Sequence, residues 1–265
     1  MNLEEICSKV CALVRETGSF IREESKKNVI DKVEVKGLNN FVTYVDKTSE
    51  QKLVAGLSKI LPNAGFIVEE GSVKETKTQY RWVIDPLDGT TNFIHNLPPY
   101  SISVALMDEN KVILGVVLEV CTNECFYAWK GSKAYNNESI ISVTRVPAVK
   151  DALIATGFPY YDFSRMKSFL ESLDYFFVHS HGVRRLGSAA ADLAYVACGR
   201  FEAFYEYSLN SWDVAAGALI VQQAGGKVTD FNGSDNYIFG KEIIASNNSI
   251  YPEFFQIVNK FLKSK

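Results

Sequence analysis

Apolar positions define the first element of the chain. Leu3, Ile6, Val10, Leu13, Val14, Phe20 and Ile21 recur with helical period and predict an amphipathic helix over 3–24. A mixed-charge loop follows, and 40–45 reads as a short strand. From Asp46 a second helix carries Leu53, Val54, Leu57, Ile60 and Leu61, and Pro62 ends it. Strand-like segments come next at 66–69, 80–84, 100–106, 112–120 and 124–129, separated by Gly, Asn and Asp. Helices followed by a run of strands predict an α+β half.

After about residue 146 the pattern changes. Strands at 152–155, 182–185, 201–206, 227–230 and 243–245 are interleaved with helices at 165–176, 188–197, 211–224 and 251–262. That alternation predicts an α/β half. No repeat, low-complexity tract or linker intervenes, so 1–146 and 147–265 are expected to pack as two halves against each other.

Composition narrows the class. At 265 residues, with 47% hydrophobic and 22% charged, the chain has the make-up of a globular protein, not a disordered or coiled-coil one. The net charge of −3 argues against a surface built to coat nucleic acid or an anionic membrane. Any phosphate chemistry would therefore need metal ions for its positive charge. Residues 1–6 lack the features of a signal peptide, and the apolar run 113–118 is far short of the ~20 residues that span a bilayer. Five cysteines in a chain of this size suggest a reducing, cytoplasmic setting. Cys7/Cys11 and Cys121/Cys125 repeat one spacing but form no CxxC knuckle, so they read as core residues and not zinc ligands.

The chemistry concentrates in Trp82-Val83-Ile84-Asp85-Pro86-Leu87-Asp88-Gly89-Thr90-Thr91-Asn92. An apolar strand runs into an acidic turn, and a short helix opens at Gly89. Carboxylates at a strand end sit where ligands bind in open α/β sheets, and free amides at a helix start favour anions. Taken alone, Asp-Pro-Leu-Asp-Gly is also a good turn. Glu69-Glu70, Asp46 and Asp213 add carboxylates at the edges of three further elements. Clustered carboxylates repel, and hard oxygen-loving cations resolve the repulsion.

Asp85-Pro86-Leu87-Asp88-Gly89-Thr90-Thr91-Asn92 resembles the DPxDGTxN motif of the inositol monophosphatase family. Trp212-Asp213-Val214-Ala215-Ala216-Gly217 through Ala224-Gly225-Gly226 resembles its WDxAAG…AGG motif. Leu186-Gly187-Ser188-Ala189-Ala190, and Lys36-Gly37 followed by Val42-Thr43-Tyr44-Val45-Asp46, match in the same order across almost the whole chain. The resemblance implies a sugar-phosphatase-like αβαβα layered sandwich. It also implies a Mg²⁺-dependent, lithium-sensitive inositol-1-monophosphatase, cytoplasmic and homodimeric, with up to three Mg²⁺ per site. Glu69, Asp85, Asp88, Asp213 and the Leu87 carbonyl would be metal ligands. Glu69 and Thr90, with Asp46 behind Thr90, would activate water for direct attack on phosphorus. Asp88, Gly89 and Thr90 would meet the phosphate. Gly187, Ser188, Ala189, Glu206 and Asp213 would meet the rest of a small phosphorylated polyol. Two positions depart from the pattern: Val68 replaces a usual glycine, and Asn40 replaces an acid that bears on the most weakly held metal.

Rivals are weaker. The spacing Asp85-x-x-Asp88-Gly-Thr90 is one residue too long for the D-x-D-x-T motif of an aspartyl nucleophile. Gly182 to Ser188 has Walker-like spacing but no lysine. His179 and His181 read as surface or interface residues. Tyr160, Tyr161, Tyr205 and Tyr207 lack the basic stripe of a nucleic-acid platform. Within the enzyme class, the alternatives are phosphatases for fructose 1,6-bisphosphate, histidinol phosphate, NADP or nucleotide 3′-phosphate. Some bacterial relatives also act in ribosomal RNA transcription, and Arg184-Arg185 beside His181 could form a surface for transcription-machinery contact, a dimer interface or a charged loop next to the active site.

Overall fold

A computed structural model describes residues 1–27, 34–37, 40–159 and 162–263. Tyr160 and Tyr161 lie outside the described residues. The first helix is α1 (Leu3–Ser25), which buries Ile6, Val10, Val14 and Ile21, with the Asn2 side chain accepting the Glu5 amide. A hairpin of β1 (Glu34–Gly37) and β2 (Asn40–Val42) leads to α2 (Tyr44–Ile60). The strand expected through Val45 stops at Val42 because Thr43 caps α2. The Thr43 hydroxyl accepts the Val45 amide, and the Asp46 carboxylate accepts the Thr43 amide at 2.8 Å.

Seven strands form the first sheet in sequence order: β3 (Gly65–Val68), β4 (Tyr80–Asp88), β5 (Ser101–Asp108), β6 (Lys111–Glu119), β7 (Glu124–Trp129), β8 (Ala134–Asn136) and β9 (Ser139–Ile141). β3 and β4 are parallel and the rest is an antiparallel meander. The remaining helices are α3 (Thr90–Ile94), α4 (Met166–His179), α5 (Ala189–Ala197), α6 (Ser211–Gln223) and α7 (Tyr251–Leu262).

The second sheet holds β10 (Leu153–Thr156), β11 (Gly182–Arg184), β12 (Ala203–Tyr207), β13 (Lys227–Thr229) and β14 (Glu242–Ser246), in the order β11-β10-β12-β14-β13. β10 runs parallel to β11 and β12, whereas β14 is antiparallel to β12 and β13. The sheet is mixed because no helix separates β13 from β14, and a parallel return needs a crossover.

The layers stack as αβαβα. α1 and α2 cover the outer face of the first sheet, α5 and α6 lie between the sheets, and α4 and α7 cover the second. The two faces of β4 follow the pleat: Trp82 and Ile84 join the core under α1 and α2, while Val83 joins the middle core. The middle helices are built from small residues, including Ala190, Ala191 and Ala194 on α5 and Ala215, Ala216 and Ala218 on α6. They can therefore approach both sheets closely. A Cβ on Gly115 of β6 would stand 2.6 Å from the Ala216 carbonyl oxygen. This close packing carries the starts of α5 and α6 to the end of β4.

Candidate active site

β4 is apolar through Ile84 and ends in Asp85-Pro86-Leu87-Asp88. Asp85 is buried, and its Oδ1 accepts the Leu87 amide at 2.9 Å, a local Asx turn. Asp88 reaches across to the other half of the chain. Its Oδ2 accepts the Ser188 hydroxyl and the Ala190 amide, each at 2.7 Å, in the first turn of α5. Because Ser188 gives its proton to Asp88, Ser101 is the donor in the 2.7 Å contact between the two serine hydroxyls. Asp213 is fixed in the first turn of α6, where its Oδ2 accepts the Asn210 amide at 2.7 Å.

These three carboxylates converge: one oxygen from each of Asp85, Asp88 and Asp213 lies within 4.8 Å of the others. Among the described residues no other group of three His, Cys, Asp or Glu side chains meets that spacing. Burial and mutual repulsion mark the cluster. Asp85 is held well above the usual carboxylate range by burial and then by the charges of Glu69, Asp88 and Asp213. Burial pushes Asp213 up to about 7, with Asp88 adding to the rise. Asp88 rises to about 6 through burial, restrained by its Ser188 and Ala190 hydrogen bonds and by Arg185.

Glu69 follows β3 directly, and its amide donates to the Ile84 carbonyl at 3.3 Å. Its carboxylate lies outside the three-oxygen group but lines the same cavity. Burial, then the charges of Asp213 and Glu70, raise its carboxyl well above the ordinary value. The Thr90 hydroxyl lies 2.9 Å from Asp46 Oδ1 and 3.1 Å from the Leu87 carbonyl. Asp46 is fully buried, and its other oxygen accepts both the Thr43 amide and the Thr43 hydroxyl. Asp46, the partner of the capping Thr43 in the first turn of α2, thus also orients Thr90.

Together these groups border a cavity of about 110 Å³. Glu69, Asp85, Leu87, Asp88, Gly89, Thr90 and Asp213 line it with Gly187, Ser188, Ala189 and Glu206. Asp46 is the sequence-predicted residue that stands behind the wall. Two glycines make the loops meet. Gly89 and Gly187 have φ of +93° and +97°, and a Cβ on Gly89 would stand 3.2 Å from the Gly187 carbonyl. Asn92 clamps the junction by donating to the Pro99 and Leu186 carbonyls, both at 2.8 Å.

Sequence reasoning assigned no role to Asn92, Gly157, Asp192, Ser208 or Asn210. Asp192 is an acid inside the alanine-rich helix α5, a pattern that could have signalled a buried charge. It is 1% exposed, and its Oδ1 has no hydrogen-bond partner. Arg185, for which the sequence left open a contact surface, a dimer interface or a charged loop next to the active site, lines the cavity, with its guanidinium 5.4 Å from the centre of the Phe158 ring. Arg184 is exposed. His179 and His181 are exposed, and His179 stacks on Tyr175 at 4.3 Å. Tyr205 and Tyr207 are buried in the core. Cys7 and Cys125 are buried, Cys11 and Cys198 half-buried, and Cys121 exposed.

The cavity lining carries five carboxylates and one guanidinium. Such a wall repels a phosphate dianion until cations occupy it. The converging donors are all carboxylate oxygens, which fits a hard divalent cation.

Comparison with known proteins identifies the family. The family model described as the inositol monophosphatase family matches residues 2–262. The inositol-1-monophosphatase of Caulobacter vibrioides is 41% identical over 228 residues, covering 84% of this chain and 89% of that protein. The Nus factor SuhB of Pseudomonas aeruginosa is 37% identical over 253 residues, covering 94% of this chain and 93% of that protein. The crystal structure of extragenic suppressor protein suhB from Bartonella henselae superposes with a TM-score of 0.90 at 34% identity, covering 96% of this chain and 98% of that one. No helix among the described residues is long and apolar enough to cross a membrane.

Proposed function

The chain belongs to the inositol monophosphatase family, and from that premise we propose that it is a Mg²⁺-dependent phosphomonoesterase acting on inositol monophosphate. The observation that carries the proposal is the convergence of Asp85, Asp88 and Asp213 from both halves of the chain. The cavity they border also holds Glu206.

Asp85, Asp88 and Asp213 would hold the metal, with Glu69 and the Leu87 carbonyl beside them. A bound divalent cation supplies charge that keeps the carboxylates ionised, polarises phosphoryl oxygens and lowers the pKa of water. The remaining work falls to the chain. Asp46 Oδ1 accepts the hydrogen bond from the Thr90 hydroxyl, which leaves the Thr90 oxygen's lone pairs free to accept a hydrogen bond from a water in the cavity. Glu69 would take that water's proton, and direct attack on phosphorus needs no phosphorylated enzyme. The Gly89 and Thr90 amides face the phosphate side. Gly187, Ser188, Ala189 and Glu206 form the polyol side, where a glutamate accepts hydroxyl hydrogen bonds and disfavours a second phosphate.

Phosphate release from inositol 1-phosphate, fructose 1,6-bisphosphate, histidinol phosphate and NADP, each with and without Mg²⁺, tests the proposal. Inositol 1-phosphate is expected to lead, and only with the metal. Equal, metal-independent rates would defeat it. The likeness to Nus factor SuhB favours a second role through protein contacts with the transcription machinery. Asp88→Asn should remove phosphatase activity and spare such a role; simultaneous loss of both overturns this second reading.

A further inference from the structure

We propose that Gly157 is a specificity-determining position: its missing side chain is what allows the Glu206 carboxylate to stand on the polyol side of the cavity. The proposal rests on the reading of Glu206 as the residue that meets substrate hydroxyls.

The two residues are neighbours by register. β10 pairs parallel with β12, with Thr156 opposite Tyr205, so Gly157 falls beside Glu206 one step further on. The Thr156 hydroxyl donates to the Tyr205 carbonyl at 2.7 Å and pins that register. A Cβ built on Gly157 would stand 2.0 Å from Cδ, Oε1 and Oε2 of Glu206. Both residues line the cavity.

Three facts make this contact decisive. First, the Gly157 backbone is not left-handed, so alanine is conformationally allowed there and only the contact is at stake. Second, the β12 backbone has nowhere to retreat. Tyr205 and Tyr207 flank Glu206 and are almost fully buried, Tyr205 against Phe169, Phe176 and Phe254. Third, among the described residues no protein hydrogen bond holds the Glu206 carboxylate. Its place is set by packing, and the packing surface is the face of Gly157.

An added methyl group therefore moves the flexible end of Glu206 and not the strands. Restoring an ordinary contact of 3.4 Å from 2.0 Å needs a shift of about 1.4 Å. A hydrogen bond to a carboxylate has a narrow distance range and does not survive that displacement. The fold should tolerate the change, while recognition of a hydroxylated leaving group should not.

The test compares wild type, Gly157→Ala, Glu206→Ala and the double variant in Mg²⁺ on two substrates: inositol 1-phosphate, and p-nitrophenyl phosphate, which lacks the polyol. The readout is the ratio of kcat/KM for the first over the second. Gly157→Ala should lower that ratio about tenfold, mainly through KM. The double variant should match Glu206→Ala, because the residue that Gly157 seats is then already gone. An unchanged ratio, or effects that multiply in the double variant, overturns the proposal. If Gly157→Ala alone does not fold, folding of the double variant supports the contact, and failure of both overturns it. Wild-type turnover of p-nitrophenyl phosphate without turnover of inositol 1-phosphate overturns the polyol reading of Glu206, and this proposal with it. That failure shows before any variant is made.

Discussion

Asp88→Asn should stabilise the metal-free protein while abolishing its phosphatase activity. The Asp88 carboxyl is pushed from 3.8 to about 6, chiefly by burial, even after the hydrogen bonds from Ser188 and Ala190 have lowered it. The folded state thus binds this proton more tightly than the unfolded chain. Stability from this group is complete below the unfolded value and is lost as pH rises through the folded one. Two units correspond to about 3 kcal/mol lost by pH 8. Asparagine never ionises, and its oxygen can still accept from Ser188 and Ala190. The weakening of those two bonds on neutralisation is already contained in the raised value, so nothing further is subtracted for it. The expectation is a gain of up to about 3 kcal/mol, or roughly 6–12 °C in Tm for a chain of this size. Differential scanning calorimetry in EDTA should show the full gain at pH 8 and only about a third of it at pH 4.5, where the folded carboxyl is protonated and the unfolded one largely is not. In Mg²⁺ the order should reverse, because only the wild type gains. A variant that melts below wild type in EDTA at pH 8 would refute the reasoning, since the two hydrogen bonds would then outweigh the buried charge.

Two further outcomes follow from the same site. The rise in Tm on adding Mg²⁺ should be larger at pH 8 than at pH 5.5, because Asp213 at about 7 and Asp88 at about 6 must both lose protons to hold a cation; equal rises at both pH values would remove these carboxylates from the metal site. Asp46→Asn should lower kcat at least about tenfold with a smaller change in KM, since an amide turned toward Thr90 would reverse the hydrogen bond that orients its hydroxyl; steady-state kinetics with unchanged kcat would show that Thr90 needs no such partner.

Much of the fold was legible because its elements carry strong periodicity. α1, β7 and α7 stand within a residue of the pattern that predicts them. The short strands β8 and β9 were not legible, because three-residue strands of mixed polarity have no pattern to read. The start of α2 was misplaced because β-branched Val42, Thr43 and Val45 favour a strand locally, and the capping pair Thr43–Asp46 overrides that preference. At the site, the acidic motif residues announced themselves by clustering at element ends. Gly157 could not be found that way. Its importance lies in what would collide with a side chain there, which only the packed register of β10 on β12 reveals. Arg185 stayed ambiguous for a similar reason: a charge beside a histidine fits a contact surface, an interface or a loop beside the active site until packing puts it in the cavity wall.

The bond between Asp88 and the start of α5 joins residues that are 102 positions apart, and Asp213 arrives later still. This gives the site a time of birth. While the chain emerges from the ribosome, the seven-stranded sheet can be complete long before α6 has been made. Its acidic loop then remains open to water, where its charges are solvated and repel little. The crowding that raises these carboxyls, and with it the demand for a cation, begins only when the middle helices slide into place. A cation held by all three carboxylates would therefore require that the middle helices have already packed against the first sheet.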